Sequence, residues 1–173
     1  EFSRFAFDVP LSLAGKLFRM RGNDVSELTL VELDHRETRL RSALEPVAAQ
    51  YDFILLDCPP ALNMLTVNGL VAADAVMIPM QCEYYALEGL ADLTQTIDRI
   101  QQALNPELKI IGVLRTMYDA RNALTRDVSE ELEQYFGKKL YDTVIPRNVR
   151  LAEAPAHGLP VIYFEKSSKG AVA

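Results

Sequence analysis

Asp57 closes an apolar run in "YDFILLDCPPALNML", residues 51–65, and Cys58, Pro59 and Pro60 follow it at once. In an open parallel sheet, ligands gather beyond the carboxyl ends of the strands. A carboxylate placed there can hold a magnesium ion, usually through a water, while the ion bridges phosphate oxygens. Pro59 and Pro60 exclude helix for the residue before each and fix the direction of the loop. A stiff loop beside a metal is suited to report the state of a phosphate. The alternative is a carboxylate that only caps or turns the chain at a strand end, and spacing alone does not separate the two. The phosphate cradle such a site needs is not in the sequence, which contains no GxxxxGK[ST]. Gly15 and Lys16 in "LAGKLF" come nearest, but Leu17 stands where a hydroxyl residue belongs and no glycine lies five residues before Gly15.

The elements that must position Asp57 follow from hydrophobic patterning. "FILLDCPP", "AVMIPMQ", "IIGVLRTMY" and "YDTVIPR" are apolar, β-branched-rich runs without alternation, which predicts strands covered on both faces; "VIYF" is a possible fifth. Helices are predicted over 62–73, 86–104 and 123–136, with a shorter one near 149–154. In the second, Leu87, Leu90, Leu93, Ile97, Ile100 and Leu104 form one apolar stripe. Pro106 beyond that helix and Gly137 after the next supply stop signals. The segment from Asp24 to Gln50 has helical spacing with Asp24 or Ser26 as a cap. Residues 1–22 show no clear period and form an unassigned N-terminal arm, in which Phe2, Phe5 and Phe7 suit a short strand or an apolar arm. Strand and helix in alternation imply parallel crossovers and an α/β sandwich.

Composition narrows the classes. A chain of 173 residues, 49% hydrophobic, suits one domain with a real core. No apolar run approaches the roughly 20 residues that span a bilayer, and the N-terminus lacks signal-peptide order, so a soluble, cytoplasmic protein is expected. Cys58 and Cys82 match no disulfide framework or zinc spacing and are expected reduced and buried. The net charge of -6 argues against a uniformly cationic surface. The basic residues nevertheless gather late, in 115–150, which is compatible with a local polyanion contact, although ordinary solvated helix faces are the commoner cause of such a cluster.

Three longer stretches, "YDFILLDCPPALNMLTVNGLVAADAVMIPMQCEYYALEGL", "LRTMYDARNALTRDV" and "VIPRNVRLAEAPAHGLPVIYF", together resemble the ParA/Soj family of chromosome- and plasmid-partitioning ATPases, relatives of MinD with a deviant Walker A loop. The resemblance runs through residues 28–173, within a segment 23–173 read as the C-terminal part of the ATPase domain. It implies a three-layer α/β sandwich with a mostly parallel sheet of P-loop NTPase type. Asp57 is then the Walker B aspartate, near magnesium, and Pro59 and Pro60 belong to the loop that senses the γ-phosphate. The "IPRN" motif places Pro146 and Asn148 against adenine with Arg147 nearby. Glu83 faces the nucleotide or a second monomer. Arg121 and Arg150 match positions that contact DNA phosphates, with Arg126 and Arg147 as neighbours. The family carries ATP and magnesium at a homodimer interface, binds DNA without sequence preference, and is released by a centromere-binding, ParB-type partner.

This sequence departs from the family in showing neither the signature-lysine P-loop nor the following strand with its catalytic aspartate. Without them the largest electrostatic terms of phosphoryl transfer are missing, so the chain alone is expected to be inactive as an ATPase. The P-loop strand of the family lies between the Walker B strand and the strand ending "MIPMQ". Its loss implies an added N-terminal strand or association through the open edge. Two further readings stand beside the ATPase: a nucleotide-independent DNA- or partner-binding module, and a MinD-like membrane-associated regulator, against which "PRN" and "MYDAR" speak.

Overall fold

A computed structural model describes residues 34–58 and 62–173. Its elements are α1 (Arg39–Ala48), α2 (Met64–Ala72), β1 (Ala75–Gln81), α3 (Tyr84–Ala103), β2 (Lys109–Tyr118), α4 (Ala123–Phe136), β3 (Leu140–Pro146), α5 (Val149–Glu153), α6 (Val161–Phe164) and α7 (Lys169–Val172). The chain forms two compact units, and α3 contributes its second half to one and its first turns to the other.

One unit contains α1, α2 and the chain from Leu93 to Leu108. Asn63 caps α2, its side chain accepting from the amides of Leu65 and Thr66 at 3.1 Å each. The helix is apolar nearly all round and is buried over most of its length, with Val71 fully enclosed. Such burial demands that its polar groups find partners. Asn68, 1% exposed, donates to the carbonyls of Arg36 (2.7 Å) and Met64 (2.9 Å) and accepts from the amide of Leu40 (3.1 Å), tying α1 to α2. At the other end Asn105 donates to the carbonyls of Leu70 (3.0 Å), Val71 (3.2 Å) and Ala73 (2.8 Å), closing the orphan end of α2. The Arg41 guanidinium also donates to Val71. Ile97, Ile100 and Leu108 complete this core.

The other unit is built on a parallel sheet of order β1-β2-β3 with flanking helices. Thr125, Val128, Ser129 and Leu132, spaced three and four apart, form the buried face of α4, and with Ile78, Met80, Val113 and Leu140 they make its core. Arg115 reaches from β2 to α4 and to β3. It donates to the Ser129 hydroxyl (2.7 Å) and the Tyr141 carbonyl (2.8 Å), while its Nε is buried without a partner. Gly137 ends α4 with φ of 50°, a conformation that favours glycine.

The sheet carries three of the predicted strands at their predicted places. "FILLDCPP" is different: an isolated β-bridge at Leu56 stands where a strand was expected, and Phe53 and Leu55 are exposed. A parallel strand needs neighbours on its flanks, and no described strand pairs along this stretch. "VIYF" forms α6 rather than a strand: Pro160 precedes it in extended conformation, and its carbonyl accepts from the amides of Tyr163 (2.9 Å) and Phe164 (3.0 Å), closing one helical turn. The strands are also less enclosed than their lack of alternation implies. β1 buries Ile78 and Met80 but leaves Met77 half-exposed, and Ile111 bulges from β2, where Val76 pairs with Ile110 and Met77 with Gly112. Among the described strands, β1 pairs only with β2. The 1–22 arm and the Asp24 or Ser26 cap lie outside the described residues.

Candidate functional site

The carboxyl ends of β1, β2 and β3 lie side by side, and a polar cleft of about 90 Å³ opens there. Gln81, Cys82 and Glu83 line it from the end of β1, Met117 and Asp119 from β2, Asn122 and Thr125 from the start of α4, and Arg147 from the end of β3. Each arrives by local necessity. Asn122 caps α4 by accepting from the Leu124 amide at 3.0 Å, which fixes the helix start beside the cleft. Between Arg115 and Tyr118, β2 carries one more residue than β3 spends opposite it, and Met117 sits in that bulge with φ of 52°. A left-handed methionine costs on the order of 1–2 kcal/mol, and bulges of this kind re-aim side chains near functional sites. The Arg147 amide donates to the Tyr118 carbonyl at 3.1 Å, holding the two strand ends together.

The cleft mixes charge. Glu83 and Asp119 supply carboxylates and Arg147 a guanidinium. Burial pushes the Cys82 thiol up, with the charge of Arg115 pulling weakly the other way. Asp119 is held down at about 2, first by the hydrogen bond from the Arg121 side chain and then by the Arg121 amide, with the charges of Arg121 and Arg147 adding. Its folded value lies below the unfolded one, so whatever the pair contributes to stability is present above the ordinary aspartate range and disappears only as pH falls towards 2.

The residues named from the sequence fall into three places. Glu83 and Arg147 line the cleft. Pro146 ends β3 opposite Tyr118, and Asn148 caps α5, accepting from the Arg150 amide at 2.9 Å. Arg121 and Arg150 follow the adjacent strands β2 and β3, so topology brings them to the same end of the sheet. Both are exposed, and both are already paired, Arg121 with Asp119 and Arg150 with Glu153. Arg126, in the first turn of α4, donates to the Ala120 carbonyl at 3.1 Å. Asp57 belongs to the other unit and is exposed. Pro59 and Pro60 lie outside the described residues. Cys58 corrects the expectation of burial: the residue is exposed, yet its sulfur lies against Gly69, and burial together with the Asp57 charge pushes the thiol up. Cys82 is buried, and both thiols are free.

Gln81, Cys82, Met117, Asp119, Asn122 and Thr125 escaped sequence reasoning as site residues. Three parallel strands ending in "MQCE", "TMYD" and "PRN" could have found the first four, since parallel order alone puts those ends together, whereas Asn122 and Thr125 come from the start of α4.

A nucleotide would find both donors and acceptors in the cleft. For magnesium, no group of three His, Cys, Asp or Glu among the described residues could hold a metal ion. Asp57 offers a single carboxylate, which fits an ion whose remaining ligands are water and phosphate. No helix among the described residues is long and apolar enough to cross a membrane.

The parallel sheet with flanking helices is of the P-loop NTPase fold class by its likeness to solved structures, and the family model described as an AAA domain matches residues 24–110. The cobyrinic acid a,c-diamide synthase of Mycobacterium smegmatis, solved with a bound ATP analog and magnesium, superposes with a TM-score of 0.71 at 35% identity, over 86% of this chain and 54% of that one. The chromosome partitioning protein ParA of Myxococcus xanthus is 54% identical over 145 residues, covering 84% of this chain and 51% of its own length. The sporulation initiation inhibitor protein Soj of Bacillus subtilis is 55% identical over 146 residues, 84% of this chain and 58% of Soj. The chain belongs to the ParA/Soj family of partitioning ATPases. It spans about half the length of these curated relatives.

Proposed function

We propose that this chain supplies the base-side wall of a nucleotide site and a DNA-contacting surface to a ParA-type partitioning ATPase. The observation that carries the reading is the meeting, at the carboxyl ends of adjacent parallel strands, of a polar cleft with two exposed arginines, Arg121 and Arg150. In this reading Pro146, Arg147 and Asn148 border adenine, Glu83 faces nucleotide or partner monomer, and Asp57 with Pro59 and Pro60 serves magnesium and the γ-phosphate. ATP and magnesium at a homodimer interface, non-specific DNA and a ParB-type centromere-binding partner complete it, in the cytoplasm on the nucleoid.

A net charge of -6 does not forbid DNA binding, because each neutralised phosphate releases condensed counterions whatever the distant surface carries. Binding to duplex DNA should be weak, indifferent to sequence and steeply reduced by salt. Arg121→Ala and Arg150→Ala should each lower affinity about 3- to 10-fold at low salt and reduce the salt slope by about one. Titrations at two salt concentrations test this; parental affinity in both variants would leave those arginines as ordinary solvated charge.

The residues given contain no GxxxxGK[ST] to cradle phosphates, so on their own they should not grip a nucleotide tightly. Titration calorimetry of this chain with ATP and magnesium should show no micromolar affinity and no turnover. Micromolar binding would mean that the chain holds a nucleotide without a phosphate loop.

A further inference from the structure

The two arginines that the proposed function points at DNA are not free. The Arg121 Nε and Nη2 bind the two carboxylate oxygens of Asp119 at 2.9 and 2.8 Å, and the Arg121 amide donates to the same carboxylate at 3.1 Å. The guanidinium fork that would grip a phosphate bidentately is thus filled by a carboxylate two residues away. Arg150, in α5 after the adjacent strand, is held by a single contact, Nη1 at 2.6 Å from Glu153, with the charge of Glu165 close by. The arginines are 91% and 52% exposed, so burial does not explain why each carries its own counter-ion.

We propose that Asp119 and Glu153 act as built-in competitors of the DNA phosphate, so that DNA must displace an internal carboxylate from Arg121 and from Arg150 before it binds. This rests on the DNA reading above and adds the element that restrains it. An exposed ion pair is a weak interaction, which makes it displaceable. A tight buried pair would hold the arginines shut, and no pair would leave them permanently adhesive to nucleic acid. Asp119 differs from Glu153 in also lining the cleft beside Arg147. A ligand in the cleft that donates to Asp119, or draws Arg147 away from it, changes the hold on Arg121. Glu153 has no such second neighbour among the cleft residues, so its restraint is constant.

The test is a double-mutant cycle on DNA affinity at about 50 mM salt. Asp119→Asn keeps the oxygen that accepts from the Arg121 amide while removing the charge; it should tighten duplex binding about 3- to 10-fold, and Glu153→Gln should act similarly. The gain must depend on the arginine: less than about 2-fold for Asp119→Asn in an Arg121→Ala background, and likewise for Glu153→Gln with Arg150→Ala. Asp127→Asn, which removes the same charge from the exposed side of α4, controls for the general field and should change affinity less than about 2-fold. If Arg121→Ala weakens binding while Asp119→Asn leaves it at the parental level, or if the gain survives without Arg121, the competitor role is refuted and the DNA reading stands. If Arg121→Ala and Arg150→Ala both bind like the parent, the DNA reading falls and the competitor role with it.

Discussion

Replacing Asn105 with alanine will lower the stability of this protein by about 3 kcal/mol, seen as a reduced urea midpoint at unchanged slope. Asn105 is 5% exposed, and its amide group covers three carbonyls at the end of α2. Val71 keeps a second donor in Arg41, but Leu70 and Ala73 lose theirs where water does not reach freely. Each stranded acceptor costs on the order of 1–3 kcal/mol. Asn105→Asp separates this cause from lost packing, since it preserves volume but turns a donor into an acceptor. At pH 7 it should be more damaging than alanine, because a carboxylate would face carbonyl oxygens. A buried carboxyl of this kind has a folded pKa above its unfolded one, so the extra penalty is absent below the unfolded value and grows as pH rises. An aspartate variant as stable as the alanine one at neutral pH would show that the hydrogen bonds are dispensable.

Gly112→Val should cost about 3 kcal/mol, with Gly112→Ala roughly 1 kcal/mol milder. Gly112 lies just past the Ile111 bulge on β2, opposite Met77. A Cβ there would stand 2.5 Å from Tyr141 Cε2 and 3.0 Å from the Lys139 carbonyl oxygen. The ring can be removed but the carbonyl cannot. Tyr141→Ala in the same chain should therefore recover part of the loss and not all of it. Denaturant midpoints for the four chains decide it, and a valine variant with the parental midpoint would mean that β3 yields at no cost.

Legibility followed locality. The helices 123–136 and 84–103 and the strands ending "MIPMQ", "RTMY" and "TVIP" were readable because their periodicity and stop signals are carried by their own residues. "FILLDCPP" misled because an apolar run reports a wish to be buried, while a strand also needs a neighbour, which the run cannot encode. "VIYF" misled because β-branched residues favour strand only on a half-buried pleat, and here the amides of Tyr163 and Phe164 turn back to the Pro160 carbonyl instead. At the cleft, Glu83 and Arg147 were reachable through family resemblance. Asp119 was not, because its significance lies in sitting between Arg121 and the space beside Arg147. The partnering of Arg121 and Arg150 was likewise invisible, since carboxylates two and three residues away look like ordinary surface charge until the geometry shows them paired.

Among the described residues the sheet is parallel throughout, and no pair of its strands is joined by a tight turn. Each ladder must wait for a helical crossover to condense, α3 before β1 can meet β2, and α4 before β2 can meet β3. Contacts so distant along the chain exact their loop-closure entropy before returning any pairing energy, so folding should be slow for a protein of this size. During that delay the apolar residues of β1 lack their cover and are open to association with a second copy, a hazard that Pro79 limits because it cannot donate to a ladder. The interval after synthesis, more than the finished fold, is then the period of greatest hazard, and slower expression at lower temperature is the condition under which soluble yield should rise.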